Sequence, residues 1–413
     1  MLIWDEQSLV QWVTKKIVLG IAVWGFIFLM TCLDTDGALH AQESKPQTIN
    51  LSEGKKIGLI EILKIALDNN SSIQIQSEVV AASKGSLQVQ GGTFDPSVSA
   101  TLGGSRSGTP MFQTTVARAF WDNELTTSAS LSKKFRSGIT VGPSISVISN
   151  RTNSQKRSGY GAENRTKMAL TLNLPLMKGA SEKAVISGEE SARHIVKASQ
   201  YDLRHQISLT LKNAANAYWA FRFAEDVMNA RRDSEARAQQ FGEDMRKLIA
   251  ADERPASNIN LALANLSEKR VNRITAEQSM HSARTSLSNV LGIEFGIVRK
   301  IVGTLDDFPQ HANQAGPIID RTNLVALARD NRWDIKGAVE RTRSADSLML
   351  GARDGMLSQL DMDFSLGYRG VHEGPRPFKT PGDHNQGFNI GATIKYSFPV
   401  GKNAVSGALK TTG

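Results

Sequence analysis

Apolar residues return along this chain with two different periods, and the switch between them divides it into segments. From Ser181 to Gly292 the period is helical. Ile207, Leu211, Ala214, Tyr218 and Phe221 follow a four–three–four–three spacing, with Met228 a heptad beyond Phe221, the stripe of a coiled coil. Glu225 interrupts it. Ile259, Leu263 and Leu266 open a second stripe that turns polar at Arg270 and Arg273, and Met280, Ala283, Leu287 and Leu291 resume it. No glycine falls between Gly188 and Gly242, and Pro255 is the only proline of the stretch. The composition is rich in strong helix formers. Read as two helices broken near Ala251–Ser257, the first runs roughly 65 residues, or about 100 Å. The usual globular helix has about 11–12 residues. A helix this long must lie along partner helices, and the turn near Pro255 folds the second back on the first as an antiparallel hairpin. An ordinary hairpin in a soluble bundle fits this segment equally well; the flanking segments bear on the choice.

Before the hairpin the pattern begins helical. Leu59, Ile62, Leu63, Ala66 and Leu67 share a face that ends at Asp68-Asn69-Asn70, and a second helix is expected from about Ser72 to Gln90, stopped by Gly91-Gly92. From Asp95 the period becomes two. Val98, Ala100 and Leu102 alternate with Ser97, Ser99 and Thr101; Leu125, Thr127, Ala129 and Leu131 with Thr126, Ser128 and Ser130. Ile139, Val141, Ile145 and Val147 follow, and then Met168, Leu170, Leu172, Leu174 and Leu176. These read as strands with one apolar and one polar face, each about 8–11 residues, the length of a tilted barrel strand in a bilayer. A soluble sandwich alternates too. Small polar residues on one face, polar loops such as Asn150–Arg165 and an export signal together favour a barrel. In lipid every backbone group must be paired, so such strands have to close. One chain supplies too few for a wide pore, and closure requires several copies.

The export signal is an apolar run from Ile17 to about Met30 behind Lys15 and Lys16, too short for a comfortable membrane span. Three outcomes stay open for residues 1–41: cleavage after Ala41, lipidation of Cys32 at the end of Leu29-Met30-Thr31-Cys32, or retention as an anchor. Cys32 is the only cysteine, which excludes a disulfide framework. Hydrophobic content of 40% with mean hydropathy −0.26 excludes a polytopic helical membrane protein. The net charge of +9 is spread over helices and loops without a dense basic patch, so no nucleic-acid partner is expected.

After a Pro- and Gly-punctuated linker the first pattern returns. Adding 262 to a first-half number gives its counterpart: Ala66 meets Ala328, Asn69 meets Asn331, Ile73 meets Ile335, Val98 meets Leu360, Leu102 meets Phe364 and Gly108 meets Gly370. Leu360, Met362, Phe364, Leu366 and Tyr368 alternate with Asp361, Asp363, Ser365 and Gly367. Phe388, Ile390, Ala392, Ile394, Tyr396 and Phe398 oppose Asn389, Gly391, Thr393, Lys395 and Ser397. Phe398-Pro399-Val400-Gly401 repeats the strand exit at Leu174-Pro175-Leu176 with Gly179. The chain reads as an internal two-fold repeat: a first unit over 52–296 with strands in 95–176 and the hairpin in 181–292, a linker over 297–319, and a second unit over 320–413.

Helix pair, strands, Pro–Gly exit and long helical hairpin, begun a second time, resembles the TolC-like outer-membrane efflux proteins. The residues that carry the resemblance are Ala66-Leu67-Asp68-Asn69-Asn70, Asn331-Arg332-Trp333-Asp334-Ile335, the Leu174-Pro175-Leu176 exit with Gly179, Ala217-Tyr218, Ala262 with Leu266, and Leu287, Leu291 and Gly292. The resemblance implies an α+β membrane protein in which long antiparallel hairpins build a coiled-coil tunnel and strands enter one shared trimeric barrel. It implies a homotrimer in the outer membrane of a Gram-negative cell, with the helical part in the periplasm. The partners would be outer-membrane lipid, a periplasmic adaptor protein and an inner-membrane transporter of a tripartite efflux or type I secretion system. Conduction would be passive, with no cofactor. Asp361, Asp363 and Lys395 would then face the lumen.

Three features depart from that plan. The counterpart of the Ser181–Gly292 hairpin is missing after the second exit, which is expected of a fragment, a truncated product or a non-functional copy of the duct. The first half has four strand patterns where the family has two membrane strands per half, so the hairpin from Leu125 to Val147 is an added barrel hairpin or an extracellular or luminal insertion. Ala251-Asp252-Glu253-Arg254-Pro255 replaces the usual loop at the tip. Enzyme chemistry finds no support. Gly103-Gly104-Ser105-Arg106-Ser107-Gly108 lacks a phosphate-loop lysine, no serine sits in a nucleophile elbow, and His194 and His205 lie about three turns apart, too far to share an ion. A metal site across His372-Glu373 and Asp383-His384 is outweighed by a solvated loop. The competing class is an exported non-enzymatic scaffold or adaptor, although the lipoyl-like hairpin of an adaptor is not visible.

Overall fold

The computed structural model describes residues 56–412 apart from 114–115, 153–158, 160, 302, 310–320, 375–385, 399 and 402. The export segment with Cys32 and Ala41, the Asp383-His384 pair and most of the linker lie outside the described residues. In chain order the elements are β1 (Lys56–Ile57), α1 (Leu59–Asn69), α2 (Ser71–Gly92), β2 (Ser97–Gln113), β3 (Val116–Lys134), β4 (Thr140–Thr152) and β5 (Glu163–Pro175). Then come α3 (Glu182–Val185), α4 (Ser187–Ala250), α5 (Asn258–Leu291), α6 (Phe295–Val298) and β6 (Gly303–Thr304). The chain continues with α7 (Arg321–Asn331), α8 (Trp333–Gly355), β7 (Gln359–Glu373), β8 (Gln386–Ser397) and α9 (Asn403–Thr412).

The coiled-coil stripe forms α4, 64 residues long, and α5, 34 residues long. They run antiparallel: Glu235 of α4 meets Arg270 and Arg273, while Phe221, closer to the start of α4, lies under Arg284 of α5. The chain turns at 251–257, where Asp252 takes φ 61°. α2 and α8 lie along the first half of α4, and α1 against both members of the hairpin. Where helices touch, α4 buries mostly small residues (Ala198, Ser199, Ala214, Ala224, Ala238), which lets helix axes approach to about 8 Å. The large buried side chains concentrate at one level: Ile57, Ile62, Tyr218, Phe221, Leu287, Leu291, Val298 and Ile301.

Asn70 separates α1 from α2. Its extended backbone ends one helix, its Oδ1 accepts from Ser72 N at 3.0 Å to cap the next, and its Nδ2 donates to Val290 O at 2.7 Å. Gly292 ends α5 with φ 69°, and a Cβ there would stand 2.4 Å from Asn69 O. α7 ends and α8 begins 262 residues after α1 ends and α2 begins, at Asn331 and Trp333 against Asn69 and Ser71.

The long strands form one antiparallel sheet in the order β2-β3-β4-β5-β7-β8. The register carries one apolar face across it: Ile145 pairs with Met168, Met168 with Tyr368, and Tyr368 with Phe388. Val98 opposite Leu131 belongs to the same face. Most of this face is exposed, with Ile390 at 71% and Leu102 at 60%, whereas Val147 toward one end of it is buried. The sheet is a single layer, not two stacked ones. Its strands run 12–19 residues, longer than the alternation suggests, because pairing continues through Gly103–Gly108, where side-chain sidedness has faded. The Gly-rich run therefore lies inside β2. Pro143 lacks an N–H, and the β3–β4 ladder lapses for two residues before resuming at Lys133 opposite Val141.

Candidate functional site

The face opposite the apolar one carries small and polar side chains from all six strands: Ser99 of β2, Ser128 and Ser130 of β3, Ser144 and Ser146 of β4, Thr171 and Asn173 of β5, Asp361, Asp363 and Ser365 of β7, and Thr393 and Lys395 of β8. Neighbours bond across strands, as with Ser99 Oγ and Ser130 Oγ at 2.7 Å. The three charged residues expected to line water all lie on this face, and the fold brings two of them together. Lys395 Nζ is 2.7 Å from Asp363 Oδ2, and Asn173 Nδ2 donates to Asp363 Oδ1 at 2.7 Å. Asp361 accepts from Gln359 Nε2 at 2.6 Å and stands directly opposite Lys395 in the ladder. Lys395 is largely exposed, so the pair contributes little to stability; its consequence is a local field. Asn173 was visible only as a polar residue in an alternating strand.

At its helical end this face is fixed to the long helix. The β3–β4 turn carries Arg136, whose guanidinium donates to Glu189 of α4 at 2.9 and 3.2 Å and lies 5.0 Å from the Phe94 ring. Arg193 adds a bond to Glu189 at 2.7 Å. The bond from Arg136 foremost, and that from Arg193, hold the Glu189 carboxyl below the usual range against the opposing effect of burial. Gly138 in the same turn has φ 89°, and a Cβ on it would strike Gly179 O at 2.2 Å. Gly179, the glycine of the strand exit, has φ 80° and donates its N–H to Asp354 at 2.8 Å.

Further along α4, polar residues that break the seam have specific partners. Glu225 accepts from Thr304 N and Oγ1 at 3.0 and 2.8 Å. A Cβ on Gly303 would fall 2.3 Å from Glu225 Oε1, so a larger residue there would displace that carboxylate. Glu235 accounts for the polar gap at Arg270 and Arg273, taking bonds at 3.2 and 2.5 Å. The buried Tyr218 hydroxyl donates toward Asp306 Oδ2 at 2.9 Å and accepts from Asp306 N at 3.2 Å. Asp306 also takes the Leu59 N–H at 2.6 Å, capping α1 from 247 residues away. That backbone bond, then the Tyr218 bond, hold its carboxyl low, while burial pushes the Tyr218 hydroxyl up. Between α4 and α8, Ser191 and Ser344 meet at 2.8 Å, and His194 Nδ1 is 2.7 Å from Glu340 Oε2. His194 is thus engaged with carboxylates rather than with His205.

Among the described residues no His, Cys, Asp or Glu cluster is placed to hold a metal, and no helix is long and apolar enough to cross a membrane. A shallow open depression of about 640 Å³ lies on the apolar face, lined by Met168, Leu170, Leu366, Tyr368 and their neighbours. It offers no convergent polar groups.

No family model and no curated protein matches the sequence. Solved structures do match. The CmeC outer membrane channel of Campylobacter jejuni superposes with TM-score 0.58 at 15% identity, covering 86% of this chain and 64% of that one. The outer membrane protein VceC of Vibrio cholerae gives 0.57 at 13% identity, with 86% and 71% covered. The open MtrE outer membrane channel of Neisseria gonorrhoeae gives 0.51 at 15%, with 86% and 66% covered. At these identities the likeness is one of fold, and the chain has the fold of outer membrane channels. It spans less than two thirds of the length of CmeC.

Proposed function

We propose that the chain is a subunit of a TolC-like outer-membrane channel, a passive exit duct for efflux or type I secretion. The observation that carries this reading is the two-sidedness of a single-layered sheet joined end-on to a 64-residue helix. A largely exposed apolar face suits lipid, while a face bearing Asp361, Asp363 and Lys395 suits water. A single layer with unpaired edges is stable in a bilayer only when closed into a barrel. In this reading three copies share the barrel, and the helical wall extends it into the periplasm toward an adaptor and an inner-membrane transporter. The helix break that recurs at a 262-residue offset, Asn69–Ser71 against Asn331–Trp333, supports the internal duplication. Residues 1–41 act as the export segment.

The chain does no covalent chemistry in this scheme. It excludes lipid from a water path and sets the field along that path. Lys395 paired with Asp363 leaves Asp361 as the nearest further charge on the strand. Lys395→Glu would turn the local balance strongly negative. Reconstituted in a planar bilayer, the protein is expected to conduct, and this variant to shift reversal potential toward cation preference. The protein is expected in the outer-membrane fraction, migrating differently before and after heating. Recovery as a soluble periplasmic monomer without conductance would overturn the proposal.

A further inference from the structure

We propose that all six strands of the chain enter the barrel wall and that the sheet closes by pairing β8 of one copy with β2 of the next. This rests on the channel reading above, and with three copies it gives a barrel of eighteen strands. The four-strand plan implied by the resemblance would give twelve.

Strand direction makes the junction possible. The order β2-β3-β4-β5-β7-β8 is antiparallel at every step, and six is even, so β2 and β8 run in opposite directions. β8 of one copy therefore meets β2 of its neighbour antiparallel, like every other ladder in the sheet. Such a head-to-tail contact repeats around a ring until it closes. Within one chain the two edges do not pair, and a barrel of fewer than about eight strands has no room for a water path. Left open in lipid, the N–H and C=O groups along both edges would have no hydrogen-bond partner, which the bilayer interior does not tolerate. The apolar face also reaches the edges, with Val98, Ala100 and Leu102 on β2 and Phe388, Ile390 and Ile394 on β8. The polar face ends opposite it with Ser97 and Ser99 on β2 and Thr393 and Lys395 on β8.

The β3–β4 hairpin is built into this wall. β3 pairs with β2 from Ser132 to Val116, and β4 pairs with β5 from Thr140 to Asn150. Its apolar residues keep phase with both neighbours, Ala129 beside Ala100 on one side and Ile145 beside Met168 on the other. Its turn is locked to the helical wall through Arg136 and Glu189 and through the close approach of Gly138 to Gly179. An insertion resting inside the lumen would leave β2 free to pair with β5, yet two strands separate them. Barrel diameter grows roughly linearly with strand number, so eighteen strands make a mouth about one and a half times as wide as twelve.

Cysteine cross-linking in outer membranes of the full chain tests this, in a Cys32→Ser background. Ala100→Cys on an affinity-tagged copy is co-expressed with Phe388→Cys, Ile390→Cys, Ala392→Cys or Ile394→Cys on an untagged copy, and the membranes are oxidised. The expected result is a tagged–untagged dimer at one register. Putting both cysteines of that register in one chain should give covalent species of two and three monomer masses and nothing larger. Val98→Cys with Leu131→Cys, neighbours in the β2–β3 ladder, reports within one chain that the sheet has formed. With that control positive, three outcomes overturn the closure alone: no β2–β8 link at any register, a β2–β8 link confined to single chains, or a link from Ala100→Cys to Leu172→Cys of β5. Absence of the protein with Cys32 intact from the outer membrane overturns the channel reading, and this closure with it.

Discussion

At the scale of single residues, the positions that matter most are those where two distant segments need the same atom. Gly292 must adopt a left-handed conformation and also leave room for Asn69 O, 2.4 Å from where a Cβ would be. Gly292→Ala is therefore expected to cost more than the about 1–2 kcal/mol of left-handed strain alone, read as a lowered midpoint in denaturant unfolding followed by helical circular dichroism. Gly85, exposed inside α2 with nothing within 4 Å of its Cβ position, serves as the opposite case. Gly85→Ala is expected to raise stability by about 0.5–1 kcal/mol, seen as a higher midpoint. Tyr218→Phe keeps the packing but removes the hydroxyl from Asp306, and a loss of about 1–2 kcal/mol is expected by the same measurement. The sequence marked Gly292 and Tyr218 by their place in the pattern. It could not mark Asp306, which lies 88 residues beyond Tyr218 in a stretch without periodicity. A side chain that caps a helix from so far away leaves no local signature.

At the scale of elements, periodicity made α4 and α5 legible because a helix with one buried stripe records its partner in its spacing. The interruptions at Glu225, Arg270 and Arg273 were legible only as breaks. Their partners, Thr304 and Glu235, sit on other segments. The α4–α8 contact is electrostatic as well as apolar, and that gives it a pH dependence. Burial works to raise the Glu340 carboxyl, but His194 first, with Arg343 and Lys197, holds it below 4.5. Arg136 and Arg193 do the same for Glu189. A carboxyl whose folded pKa is depressed stabilises the fold above its unfolded pKa and loses that contribution as pH falls through the folded value. Stability is therefore expected to be level from neutrality to about pH 5 and to decline from about pH 4.5 downward. In thermal melts at pH 7, 4 and 3, the double variant Glu189→Gln, Glu340→Gln should start lower at pH 7 and fall less on acidification. An equal fall in both proteins would assign the acid sensitivity to other carboxylates.

At the scale of the whole molecule, apolar surface left bare on the helices adds to that on the sheet: Leu261 is 75% and Phe223 63% exposed. The contrast between α1 and α7 is sharper, since they end 262 residues apart. Ile62 is buried at 0% against the hairpin, while Leu324, its counterpart at that offset, is 45% exposed. Exposed apolar area on this scale is what contacts between copies and with lipid would cover. The two-sided strands were readable because each position in a single layer belongs to one of two faces of different polarity, so the sequence carries both. Strand length was not, because backbone pairing outlasts the alternation in β2 and β3. The sidedness itself can be tested on one strand. Ile390→Lys puts a cation on the apolar face of β8, and Thr393→Lys puts the same charge on the other face beside Asp363. If the apolar face meets lipid, the first costs about 2–4 kcal/mol near the bilayer midplane and less toward its edges. The second meets water and a carboxylate and costs little. Heat-modifiable protein in the outer membrane should then drop sharply for Ile390→Lys and stay near the parent level for Thr393→Lys. The reverse ranking would place water on the apolar side and is incompatible with a lipid-facing sheet.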